Sequence, residues 1–168
     1  MKQKNNVLIL VIIVATLATG AFVYYKSDTS QSESTRSTQQ TKTFLSKNLK
    51  FSINIPSNLL IEEKFTTITL KNDDVKITIS RNGTNFEKLE ESINDLHQKN
   101  KTLMFNKTSL NINGLTAIKG VLNNPSGSSS REFVYYIKID NIIYVLSTKD
   151  ESLYNDLDQI AQSFRYTP

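Results

Sequence analysis

The sequence predicts an α+β fold: an antiparallel β-sheet of about six to seven strands with two helices packed on it, preceded by a single transmembrane helix. Three observations carry that expectation. Apolar residues alternate with polar ones along several short segments, two other stretches switch to helical spacing, and Val7–Tyr25 near the start holds no charge at all. The organisation that follows is a basic cytoplasmic N-terminus (1–6), a membrane helix (7–25), a Ser/Thr/Gln-rich disordered linker (26–43) and an extracytoplasmic domain (44–168).

Val7–Tyr25 reads VLILVIIVATLATGAFVYY, nineteen residues. As a helix it spans roughly 28 Å, close to the hydrocarbon core of a bilayer. Phe22, Tyr24 and Tyr25 fall at its far end, where aromatic side chains meet the headgroups. Lys2 and Lys4 before it outweigh Lys26 after it, so the positive-inside rule keeps the N-terminus in the cytoplasm and exports the rest. The alternative is a cleaved secretory signal, cut near Gly20 after Ala18-Thr19, which would leave a secreted protein. Hydrophobicity resumes at Ala21-Phe22-Val23, which favours a retained signal anchor. Cysteine is absent, which excludes a lipid-modified cysteine, a disulfide framework and a thiolate site.

The linker Ser27–Thr43 (SDTSQSESTRSTQQTKT) has no apolar residue and cannot bury surface to offset its ordering entropy. Charge is spread unevenly but mildly. Of the net +4, the first 43 residues hold five basic against two acidic side chains, and the remainder fifteen against fourteen. A nucleic-acid footprint needs basic residues concentrated on the folded part, so nucleic acid is not an expected partner. Abundant Asn, Lys, Ile, Ser and Thr without Trp points to an AT-rich bacterial genome.

The elements follow in order. Phe51, Ile53 and Ile55 alternate with Ser52 and Asn54 in a half-buried strand that Pro56 ends. Thr66–Leu70 and Val75–Ser80 repeat the alternation around the turn residues Lys71–Asp74 and form a hairpin. Thr84 and Glu87 have the spacing of a capping box, and Phe86, Leu89, Ile93 and Leu96 make one helical face ending near Asn100. Thr102–Ile112 and Leu115–Leu122 flank Asn113-Gly114, a strong hairpin signal because a type I′ turn needs two positive φ angles. Asn123–Ser130 is a loop. Glu132–Ile139 and Ile142–Ser147 pair across Asp140-Asn141, and both are apolar on both faces, which places them mid-sheet with cover on each side. Thr148 and Glu151 suggest a second capping box, followed by a C-terminal helix whose inner stripe is Leu153, Leu157, Ile160, Ala161 and Phe164.

A strand ending in FSINIPSN, a hairpin, FEKLEESIN, INGLTAIKG, the adjacent strands REFVYYIKIDNIIYVLS and a last helix ending in IAQSF together resemble the PsbP-like family. The resemblance covers nearly all of Phe44–Pro168. It implies an antiparallel sheet sandwiched by helices and a non-catalytic accessory or binding role, and it carries no functional residue over to this chain.

The sequence assigns no catalytic, cofactor-binding or metal-ligating residue. His97, the only histidine, ends the first helix, where a protonated imidazole at the surface is favoured by the helix dipole. The acidic pairs Glu62-Glu63, Asp73-Asp74 and Glu90-Glu91 point apart as sequence neighbours, so facing carboxylates would have to come from separate elements. Asp73 and Asp74 read as turn formers rather than Ca²⁺ ligands. Tyr136, Tyr144 and Tyr154 form a candidate interaction surface, the alternative being that their rings complete the sheet–helix core. The expected function is a membrane-anchored, extracytoplasmic, non-catalytic binding or accessory protein of the bacterial cell envelope. Its expected partners are the membrane, through Val7–Tyr25, and another envelope protein. The alternatives are an envelope hydrolase using carboxylates from separate elements and a structural subunit of a membrane complex.

Overall fold

The computed structural model describes residues 40–123 and 131–168. The expected membrane helix, nearly all of the expected linker and most of the Asn123–Ser130 loop lie outside them. Among the described residues, no helix is long and apolar enough to cross a membrane.

Among the described residues, ten strands and two α-helices follow one another as β1 (Thr41–Ser46), β2 (Phe51–Pro56), β3 (Leu60–Glu63), β4 (Thr67–Asn72), β5 (Val75–Gly83), α1 (Leu89–Asn100), β6 (Leu103–Ile112), β7 (Leu115–Asn123), β8 (Arg131–Ile139), β9 (Ile142–Thr148), a 3₁₀ turn (Glu151–Leu153), α2 (Tyr154–Ser163) and β10 (Arg165–Tyr166). Seven strands form one antiparallel sheet in the order β3-β4-β5-β9-β8-β7-β6, and β1-β2-β10 form a second, smaller one. All three expected pairings across short turns, β4–β5, β6–β7 and β8–β9, are present, with Asn113 at φ 51° and Gly114 at φ 88° as the turn across β6 and β7 requires.

The large sheet is covered on both faces. On one side, Ile68, Leu70, Ile77, Ile79, Tyr135, Ile137, Tyr144 and Leu146 pack against Phe51, Ile53 and Ile55 of the small sheet and Leu157, Ile160 and Phe164 at α2. On the other, Ile118, Val134, Tyr136 and Ile143 pack against Leu89 and Ile93 of α1. Along β8 and β9 successive residues alternate between these two cores, which is why both strands read as continuously apolar.

Three local expectations are corrected. Strand β1 begins at Thr41, so the tail of the expected linker is paired: Thr41, Lys42 and Thr43 lie opposite Pro56, Ile55 and Asn54. Helix α1 begins at Leu89 rather than near Thr84, because the Thr84 N–H donates to the Asn141 carbonyl at 2.8 Å and continues the β5–β9 pairing. The Thr84 hydroxyl meets Ser92 Oγ at 2.8 Å, and Phe86 stays outside the helix and exposed. At the second helical segment the cap is Asp150, whose carboxylate accepts from the Ser152 N–H at 2.9 Å; Thr148 is instead buried on the sheet.

Strand β6 carries a bulge that sets which core it serves. Phe105 pairs with Val121 but Thr108 with Lys119, so β6 has one residue more than β7 in between, and Asn106 takes φ 52° to fit it. The inserted residue reverses the strand's facing. Met104 therefore packs on the α1 side, while Leu110 and Ile112 pack on the α2 side.

Candidate functional site

Of the three tyrosines expected at a surface, Tyr136 and Tyr144 are buried and Tyr154 is half-buried. Tyr136 is 4% exposed and Tyr144 0%, and each fills one of the two cores. The Tyr144 hydroxyl donates to the Leu49 carbonyl at 2.6 Å, and its ring lies 5.5 Å from Phe51 and 5.1 Å from Phe164. The Tyr154 ring lies 4.9 Å from that of Phe133, tilted by 40°, and its hydroxyl is shut off from solvent with no hydrogen-bond partner among the described residues. The reason lies in the two-sided cover of β8 and β9: a side chain on either face meets a packed layer. Sequence alternation points to that cover, and the Tyr136 and Tyr144 rings complete the two cores instead of a contact surface.

His97 is half-buried at a cleft between the end of α1 and the start of β6, lined also by Ile93, Thr102, Met104 and Lys107. Its Nδ1 meets Thr102 Oγ1 at 2.6 Å, its Nε2 faces the Tyr136 hydroxyl at 3.4 Å, and the two rings stand edge to face at 5.7 Å. Burial first, and the Lys107 charge second, hold its pKa below the ordinary 6.5. In place of the expected surface imidazole favoured in its protonated form, the ring is half-buried, and burial and Lys107 disfavour its protonation. Both ring nitrogens are engaged within the fold, and among the described residues no carboxylate hydrogen-bonds to the ring. The imidazole acts as a strut from α1 to β8.

The acidic pairs separate as expected for sequence neighbours. Glu62 pairs with Lys71, and hydrogen bonding to that lysine holds its carboxyl below the usual range. Glu63 instead accepts from the Ser46 hydroxyl at 2.6 Å. Glu90 joins α1 to the bulge through Lys107 at 2.8 Å. Asp73, at φ 48°, forms the β4–β5 turn. Asp74, Glu132 and Asp150 line an open groove together with Lys76 and Lys149, and Asp150 there is held by its cap. Among the described residues, no group of three or more His, Asp or Glu side chains converges to hold a metal ion.

Large apolar side chains face solvent chiefly at the two open edges of the seven-stranded sheet. At the β3 edge Leu60 is 65% exposed, and Phe65 in the turn to β4 is 95% exposed; at the β6 edge Leu103 is 61% and Phe105 49% exposed. Sequence reasoning missed this surface. Nothing in β3 (LIEE) or in the Lys64–Thr66 turn marks an edge position, since edge and interior strands share one alternation.

The fold is PsbP-like: an α+β sandwich with an antiparallel sheet between helical layers. The solution structure of cyanobacterial PsbP (CyanoP) from Synechocystis sp. PCC 6803 matches with a TM-score of 0.52 and 9% identity, covering 76% of this chain and 93% of that one. A crystal structure from Bacteroides thetaiotaomicron VPI-5482 matches with a TM-score of 0.55 and 17% identity over 77% of this chain, which spans 49% of that longer chain. No family model matches, and no curated protein sequence does. At these identities the likeness is one of fold alone.

Proposed function

We propose that this chain is a membrane-anchored, extracytoplasmic binding or accessory protein of a bacterial cell envelope, acting without catalysis. The exposed apolar edges carry the reading. Leu60 and Phe65 at one edge, and Leu103 and Phe105 at the opposite edge, lie where a partner strand or loop can cover them. The charge-free segment Val7–Tyr25 supplies the anchor, and the polar residues behind it supply reach from the bilayer. The PsbP-like fold is compatible with a binding module, and the engaged state of His97 gives no free base.

The full chain, expressed in a bacterial host, should pellet with membranes, resist alkaline carbonate and dissolve in detergent. Crosslinking in intact membranes should then recover a reproducible partner above a control carrying only residues 1–43. Recovery of the full chain in the soluble cytosolic fraction would overturn the anchor; a partner list identical to the control's would overturn the binding role. The Asp74, Glu132 and Asp150 groove is where a carboxylate hydrolase would have to work. An envelope-glycan activity abolished by Asp74→Asn with Glu132→Gln would favour that alternative.

A further inference from the structure

The turn Asn113-Gly114 does more than join β6 to β7. The Asn113 side-chain amide donates to the Gln162 carbonyl at 3.0 Å and to the Phe164 carbonyl at 2.8 Å, both at the C-terminal end of α2. Those carbonyls belong to the set that a helix leaves without internal partners. The Gly114 N–H, for its part, donates to Asn111 Oδ1 at 2.8 Å. The hairpin tip is thereby tied to the last helix by one side chain, while the backbone nitrogen beside it is occupied.

We propose that Asn113 is a spontaneous deamidation site, held unreactive by this latch and converted when the hairpin tip lifts from α2. An Asn followed by Gly is open to attack because glycine places no side chain beside the attacking nitrogen. The Gly114 nitrogen, once it gives up its proton to solvent base, forms a bond to Asn113 Cγ. The Cγ–Nδ2 bond breaks, and the amide nitrogen leaves as ammonia after regaining a proton. Water then opens the resulting succinimide to aspartate or isoaspartate. In the native fold both reacting groups are committed: Nδ2 to two helix carbonyls, and the Gly114 N–H to Asn111.

Conversion is one-way in its consequences. A carboxylate at position 113 can only accept hydrogen bonds, so it faces two carbonyl oxygens with nothing to donate. Its negative charge also lies at the C-terminal end of a helix, where the dipole is already negative. The hairpin tip does not re-latch. The protein contains a second Asn-Gly pair, Asn82-Gly83, which lies within the β5–β9 ladder opposite Ile143 and Ile142 and provides an internal reference.

The test incubates the full chain in detergent at mildly alkaline pH, with and without concentrated urea, and follows amide-to-acid conversion at both sites by peptide mass mapping. In urea both sites should convert. In the native protein Asn113 should convert roughly tenfold more slowly or less, because only locally opened molecules react. Asn111→Ala should raise the native rate and leave the rate in urea unchanged. Backbone hydrogen exchange over 160–166 should quicken in converted protein and in Asn113→Asp. Equal native and denatured rates at Asn113 would overturn the protection, and unchanged exchange at the end of α2 in converted protein would overturn the latch.

Discussion

Tyr144 ties the large sheet to the connection between β1 and β2 of the small one. Its hydroxyl is the donor to the carbonyl of Leu49, a fully buried residue in the β1–β2 connection. Tyr144→Phe keeps the ring and its contacts with Phe51 and Phe164 but strands that carbonyl. The expected loss is about 1–3 kcal/mol, the cost of a buried acceptor left unsatisfied, read as a lower urea midpoint with an unchanged slope. His97 supplies the residue-scale pH dependence. Facing it are Thr102, Tyr136 and Lys107, and its pKa in the fold lies below 6.5. The unfolded chain therefore takes up a proton that the folded chain resists. Stability is full above about pH 6.5 and falls as pH drops from there through the folded value. His97→Gln should flatten that part of a urea-midpoint profile; an unchanged profile would mean that other groups set it. The sequence pointed to the helix end but not to the neighbours, since Thr102, Lys107 and Tyr136 come from the approach to β6, β6 itself and β8.

At the scale of elements, α1 has an N-terminus that the sequence does not optimise. Its cap residue is Lys88, in an extended conformation with no side-chain hydrogen bond, and Glu91 stands three residues on. Lys88→Ser would complete a capping box with Glu91 and remove a positive charge from the positive end of the helix dipole. The expected gain is about 0.5–2 kcal/mol in thermal or urea unfolding. The Lys88–Glu91 ion pair lost in the exchange is exposed at 3.8 Å and contributes little. Opposite the β6 bulge, Gly120 admits the Met104 side chain: a Cβ there would lie 2.4 Å from Met104 Cε and 2.9 Å from the Phe105 carbonyl oxygen. Gly120→Ala should cost about 1–3 kcal/mol, because the second contact is with backbone, and hydrogen exchange should quicken around the bulge. These two elements show what one sequence reveals and what it hides. The paired strands β4–β5, β6–β7 and β8–β9 were legible because turn chemistry and alternation are local. Strands β1, β3 and β10 were not: β10 is two residues long and exists through pairing with Ser52 and Phe51, more than a hundred positions away. The T-N-F-E signature at Thr84 had correct local chemistry, but pairing with Asn141 claimed its backbone for the sheet. The bulge was hidden for the same reason, since only β7 defines the register it breaks.

For the whole molecule, the surface left over after both cores are built is what remains available for function. Tyr136 and Tyr144 drop out because two layers cover their sheet, which leaves the apolar side chains on the open edges β3 and β6. An edge presents unpaired backbone donors and acceptors beside these side chains, so a partner can gain ladder hydrogen bonds and apolar burial together. Such side chains contribute to binding but little to folding. Phe65→Ser and Leu103→Ser, at 95% and 61% exposure, should each leave the unfolding free energy within about 0.5 kcal/mol of wild type. If the edges are the docking surface, at least one of the two should sharply reduce the crosslinked partner recovered from membranes, with amounts of the protein itself unchanged. Undiminished capture by both variants, and by the chain carrying Phe65→Ser and Leu103→Ser together, would remove the edges as the interface and move the search to the open groove beside Asp74 and Glu132.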